Sequence, residues 1–133
     1  MTDSIILSGK QYTVEQLVKE KDEHVKLEAV DRFFAVHELA RDASPLVRIA
    51  VARRGVEHDR LAFDKDYRVR ATVAKYCTDK ELLDHLLKDE NEFVRFIIAK
   101  RGHGFEYLLN DPDEEVASLA RYGLQQARHP KPV

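Results

Sequence analysis

Leu86-Leu87-Lys88-Asp89-Glu90-Asn91-Glu92-Phe93-Val94-Arg95-Phe96-Ile97-Ile98-Ala99-Lys100-Arg101-Gly102 is the clearest copy of a unit that recurs through the chain. Its template is Leu-x-x-acid-x-x-x-x-Val-base-x-x-Val/Ile-Ala-base, closing on Gly. The leucine recurs at Leu17, Leu39, Leu61, Leu86 and Leu108, and the acid at Glu20, Asp42, Asp64, Asp89 and Asp111. The valine recurs at Val25, Val47, Val69, Val94 and Val116. The base after it is Lys26, Arg48, Arg70 and Arg95, with Ala117 in the fifth copy. The acids at 20, 42, 64, 89 and 111 stand 22, 22, 25 and 22 residues apart. Five copies in phase predict a stack of like units, each burying a face that it cannot bury alone.

Local chemistry predicts what each unit is made of. Asp42-x-Ser44-Pro45 and Asp111-Pro112-Asp113-Glu114 read as helix starts: short polar side chains accept from free backbone N–H groups, and proline at the first position loses no needed donor. Val94, Ile97, Ile98 and Arg101 follow at i, i+3, i+4 and i+7, which gives a helix with one apolar face. Gly55 and Gly102 end two copies at a site suited to a left-handed residue. Arg53-Arg54 and Lys100-Arg101 precede them, facing the negative end of the helix dipole. Only Val56 to Phe63 separate Gly55 from Asp64, so the second element of a unit is a short α- or 3₁₀-helix.

The period and the acid-x5-Val-Arg-x-x-Val-Ala pattern resemble the leucine-rich repeat variant family and, more loosely, HEAT-like repeats. The resemblance covers residues 17–124. It implies an all-α fold, a right-handed superhelix of paired short and long helices, with a role in molecular recognition and no particular reaction. The expected organisation is an extended N-terminal cap over residues 1–13, one α-solenoid domain over 14–124 and a flexible tail over 125–133.

The two ends read differently from the middle. Ser4 to Thr13 carries β-branched and aromatic residues around Ser8-Gly9, a short extended segment or small hairpin expected to cover the first repeat. Thr13-Val14-Glu15-Gln16 has capping-box spacing and opens a helix expected to run through Lys21. Thr78-Asp79-Lys80-Glu81 opens a longer one, Lys80 to Lys88, which absorbs the three extra residues of the 25-residue spacing. Cys77 stands there in place of the glycine of other copies, as a small buried hydrophobe.

Composition bounds the function. The 133 residues hold 22 basic and 24 acidic side chains, a formal charge of −2 that argues against binding nucleic acid through bulk charge. One cysteine excludes an intramolecular disulfide and a cysteine-based metal cluster. The six histidines share no repeat position and form no H-E-x-x-H, so no metal, cofactor or catalytic residue is expected. Met1 to Leu7 lacks a basic start and a long apolar run, so no signal peptide or membrane partner is expected and the cytoplasm is the default.

Two sets of residues remain as candidates for chemistry. Arg48, Arg70 and Arg95 each follow an acid by six residues, at Asp42, Asp64 and Asp89. The resemblance to HEAT-like repeats, which use an Asp and Arg so spaced, implies an internal ladder between units, and its loss at Ala117 fits a last unit with no successor. The second set, Arg53, Arg54, Lys75, Lys100 and Arg101 (more loosely Arg121), falls at the ends of the long helices as a positive edge. Phe93 joins it as an exposed contact residue, because it takes the position of Leu46, Arg68 and Glu115 in other copies. Phe33, Phe34, Phe63, Phe96, Phe105, Tyr107 and Tyr122 fall largely on periodic apolar positions and are assigned to the core. The resulting expectation is a non-enzymatic scaffold that binds a protein partner, with nucleic-acid binding through the basic edge, as in HEAT-like DNA glycosylases, as the alternative.

Overall fold

A computed structural model describes residues 3–128. Short and long helices alternate behind a two-stranded hairpin. The hairpin is β1 (Ser4–Leu7) and β2 (Lys10–Thr13); the short helices are α1 (Val14–Val18), α3 (Val36–Leu39), α5 (His58–Leu61), α7 (Lys80–Leu86) and α9 (Phe105–Leu108). The long ones are α2 (Glu23–Asp31), α4 (Pro45–Arg53), α6 (Tyr67–Tyr76), α8 (Glu92–Lys100) and α10 (Glu114–Arg128). Long helices begin at 23, 45, 67, 92 and 114, the same intervals as the acids. Two compact units divide the chain, Met1–Val73 and Ala74–Val133. Among the described residues no helix is long and apolar enough to cross a membrane.

In the first unit the hairpin pairs antiparallel, Ser4 opposite Thr13 and Leu7 opposite Lys10. Ser8 and Gly9 between them both have positive φ, 50° and 80°, as the two-residue turn that matches strand twist requires. Alternation puts Leu7 and Tyr12 inside and leaves Ile6 outside. The hairpin is tied to α2 at two points: Ser8 N–H donates to Glu28 Oε1 at 3.1 Å, and Arg32 Nη1 to the Ile6 carbonyl at 3.1 Å. Thr13 and Gln16 complete the capping box of α1, whose helix stops at Val18, three residues short of the expected Lys21. The chain leaves it there because Glu20 is already engaged in the next turn, accepting from Asp22 N–H at 2.9 Å.

Each long helix starts from the same loop. The carboxylate of the repeat acid accepts the N–H two residues on: Glu20 from Asp22, Asp42 from Ser44, Asp64 from Asp66, Asp89 from Asn91 and Asp111 from Asp113, all at 2.9 Å. That second residue caps the helix, Asp22, Ser44 and Asn91 each accepting a backbone N–H from the first turn. Pro45 takes the first helical position as its sequence predicts. Pro112 differs: α10 begins at Glu114, so Pro112 lies before the helix, and Asp113 accepts from Val116 N–H.

The long helices close alike in three copies. Phe33, Gly55 and Gly102 are left-handed, at φ 59°, 80° and 81°. Their N–H groups donate to Val30, Ala52 and Ala99, and the next residues, Phe34, Val56 and His103, reach back to Ala29, Val51 and Ile98. This double bond satisfies carbonyls that the helix end leaves open. A second left-handed residue, Ala35, Glu57 or Gly104, then opens the short helix. In the third copy neither is present: Asp79 caps α7 in an extended conformation, and the inserted residues lengthen that helix to Lys80–Leu86.

The interior is aliphatic. The five repeat leucines are at most 1 % exposed and the five repeat valines at most 5 %. The expectation of an aromatic core fails. Phe33, Phe63, Tyr107 and Tyr122 are all more than half exposed, and Phe34, Phe96 and Phe105 are partly exposed. Four-residue helices bring neighbouring backbones close, and the space between is filled by Leu, Val and Ala. In the second unit the contact is close enough that a Cβ on Gly123 would lie 2.2 Å from the Phe105 ring. The expected tail also needs correction, because α10 continues to Arg128 through Gln125, and only residues 129–133 of that tail lie outside the described residues.

Two outcomes follow from this packing. Gly55 is left-handed with open space around it, so Gly55→Ala should cost about 1 kcal/mol in a denaturant titration through backbone strain alone. Deleting residues 1–12 uncovers α1 and α2 and should lower the melting temperature by more than about 5 °C; an unchanged melting temperature would separate the hairpin from the core.

Candidate functional site

The repeat bases and acids interlock with a stagger. Lys26 Nζ lies 2.8 Å from Asp42 Oδ1. Arg48 meets Asp64 with two prongs, Nε to Oδ2 at 2.8 Å and Nη2 to Oδ1 at 3.1 Å. Arg95 repeats that fork on Asp111 at the same two distances. Lys26, Arg48 and Arg95 thus each pair with an acid sixteen residues later. The acid six residues earlier offers its backbone carbonyl instead: Arg48, Arg70 and Arg95 donate Nη1 to Asp42, Asp64 and Asp89, each at 2.8 Å. Arg48 gives a further bond to the Ala43 carbonyl. Its side chain is 7 % exposed and that of Asp64 10 %, so the pair is dry. Hydrogen bonding to Asp111 raises the pKa of Arg95 and holds its charge.

At the first acid the neighbour changes. The Tyr12 hydroxyl of β2 stands beside Glu20, whereas Asp42, Asp64 and Asp111 receive cations. The Glu20 pKa lies below the usual carboxylate range, first through the Asp22 N–H and then through Tyr12. Burial and the same bond to Glu20 push the Tyr12 pKa up.

The residues of the expected basic edge have different fates. Arg53, Lys75 and Lys100 share one repeat position and are exposed. Arg54 lies over the Phe33 ring at 5.4 Å, and Lys75 over Tyr76 at 5.4 Å. Arg101 is committed to the backbone: its Nη1 donates to the Ala74 and Cys77 carbonyls at 2.8 and 2.6 Å, closing the end of α6. Around Arg53 and Arg54 a hollow of about 360 Å³ also holds Glu28 and Asp31, so the charge there is mixed. Phe93 is 48 % exposed, and Leu46 at the same repeat position is 48 % exposed.

Compared with known proteins, the chain matches no family model, no curated protein and no solved structure.

Sequence reasoning passed over a groove of about 370 Å³ in the first unit, between the loops that precede α4 and α6. Arg41, Arg60 and Lys65 line it beside the ladder residues Asp42, Arg48 and Asp64. The signal was present as three bases close to repeat acids, but they occupy different repeat positions and so fell outside a search for columns. The histidines serve as local ties. His58 Nε2 donates to the Ala52 carbonyl at 2.7 Å, and His103 Nε2 to Asp84 Oδ1 at 2.7 Å. Burial pushes the Cys77 thiol up, away from a reactive thiolate. Among the described residues no three His, Cys, Asp or Glu side chains cluster as metal ligands would.

Arg48→Ala leaves the Asp64 carboxylate with its buried partner gone and should cost about 3 kcal/mol or more, while Arg53→Ala on the exposed edge should stay within about 0.5 kcal/mol. Chemical denaturation of both variants checks the contrast. Asp66 has a second, pH-dependent effect. Hydrogen bonds from Arg68 lower its pKa to about 2, below the 3.8 expected of an unperturbed carboxyl. Its stabilisation is complete above about pH 4 and lost as pH falls towards 2. Asp66→Asn should accordingly be less stable than the parent at neutral pH and lose less stability between pH 4 and 2, as melting curves across that range would read.

Proposed function

We propose that the chain is a non-enzymatic recognition module, a short right-handed α-solenoid of leucine-rich-repeat-variant or HEAT-like units that binds a protein partner through its outer surface. The observation that carries this reading is the contrast between interior and exterior positions of the repeat. Inside, the same residue types recur five times and are buried. Outside, one position holds His24, Leu46, Arg68, Phe93 and Glu115, a different chemistry in every copy. Packing explains the uniform positions, while at the variable ones Leu46 and Phe93 are each 48 % exposed and Arg68 pairs with Asp66. A repeated backbone that displays a non-repeating set of side chains is how solenoids build composite binding surfaces. Exposed Leu46, Phe63, Phe93 and Tyr107 add apolar anchors of the kind that dominate interface energies.

Affinity capture of the intact protein from its source lysate, with nuclease and at two salt concentrations, tests the reading. A discrete protein partner that persists in higher salt, and that Phe93→Ala weakens several-fold, is the expected outcome. Recovery of nucleic acid that disappears at higher salt would replace it with binding through the exposed edge of Arg53, Lys75 and Lys100.

A further inference from the structure

The groove lined by Arg41, Arg60 and Lys65 has no role in holding the fold together. Its floor is the ladder, and the carboxylates there are already committed. Asp42 accepts from Lys26 Nζ and from Ser44 N–H. Asp64 accepts from Arg48 through both oxygens and from Asp66 N–H. The rim is different. Arg60 and Lys65 are exposed, and among the described residues neither has a carboxylate within 4 Å. Arg41 is 57 % exposed along its side chain and reaches Glu57 only at 4.0 Å. Three exposed cations thus border one hollow of about 370 Å³ whose own acids are neutralised.

The geometry points to this groove as the site for a single dianionic group, a phosphate monoester carried on a peptide side chain. Charge count argues for a dianion over a carboxylate, since three cations face the opening and a phosphomonoester carries about −1.5 to −2 at neutral pH. Two of the three are arginines, whose planar fork suits a phosphate with several acceptor oxygens. The hollow of about 370 Å³ has room for a side-chain head group. A nucleic-acid strand is disfavoured by what lies around the rim. Glu38, Glu57, Asp59 and Asp66 flank the cations in sequence, and Glu57 reaches Arg41 at 4.0 Å, so the positive field does not continue as a track for successive phosphates. This deepens the recognition reading and rests on it, because it supplies one chemical feature of the partner.

Phenyl phosphate, titrated into the full chain and followed by amide chemical shifts, tests the assignment. Saturating shifts confined to residues 40–43 and 60–65 are expected. Benzoate should bind at least tenfold more weakly, and Arg60→Ala/Lys65→Ala should weaken phenyl phosphate at least tenfold with an unchanged far-ultraviolet spectrum and melting curve. The Arg41→Ala variant gives an independent loss of several-fold if the double variant alters the fold. Shifts that are absent or spread over the surface overturn the site, as does equal binding of benzoate. Inorganic phosphate binding as tightly as the ester assigns the groove to the free ion, and a single-stranded oligonucleotide binding more tightly through the same residues assigns it to nucleic acid; either overturns the peptide ester. A negative titration beside a successful partner capture would remove this groove alone and leave recognition standing.

Discussion

One carboxylate per repeat performs two tasks at once, and the helices are arranged by that double use. Asp64 shows it most fully. One of its oxygens holds the N–H two residues on, which bends the chain into the start of α6, while the carboxylate as a whole takes the fork of Arg48. Aspartate suits both tasks because its short side chain can turn back to its own backbone and still face outward. The pair is buried, so its net worth against an apolar replacement is small, but a mispaired version would leave a charge in a dry site. The ion pair therefore acts less as glue than as a gauge. It admits the register in which Lys26, Arg48 and Arg95 each meet the acid sixteen residues on.

Around that gauge the apolar residues are chosen for fit. Leucine at one position and valine at another fill the space between helices in all five copies, and alanine or glycine stands where the helices approach most closely. Tyr12 is buried and the Phe105 ring packs against Gly123, while Phe33, Phe63, Tyr107 and Tyr122 lie at the surface. Gly104 marks another tight point, where a Cβ would fall 2.6 Å from Leu87.

Much of this could be read from the sequence. The repeat leucines and valines, the glycines at 55 and 102 and the caps at Thr13 and Ser44 each follow from local periodicity or local hydrogen bonding, whereas the box read at Thr78 gives way to a cap by Asp79. What could not be read depends on contacts between repeats. A base six residues after an acid gives no sign that it takes that acid's carbonyl and the carboxylate of the following copy. Phe33, Ala35 and Glu57 adopt left-handed backbones with side chains that normally avoid them, because the loop on either side is already determined by the helices it joins. The bases of the expected edge look alike as letters, yet Arg101 is spent on two carbonyls, Arg54 on a ring, and Arg53 on neither. The groove of Arg41, Arg60 and Lys65 was hidden for the converse reason: it is assembled from residues that no period links.

The stagger between base and acid also gives the chain a direction in time. Synthesis proceeds from the N-terminus, so when Lys26 or Arg48 first leaves the ribosome its acid is sixteen residues behind, still inside the exit tunnel. Glu20 waits for nothing, because the hydroxyl of Tyr12 is already there. The hairpin and α1 can therefore settle first with their polar groups satisfied, while each later base stays solvated until its acid arrives. A nascent chain built this way closes one register at a time, behind a leading end that always has a charge left in water.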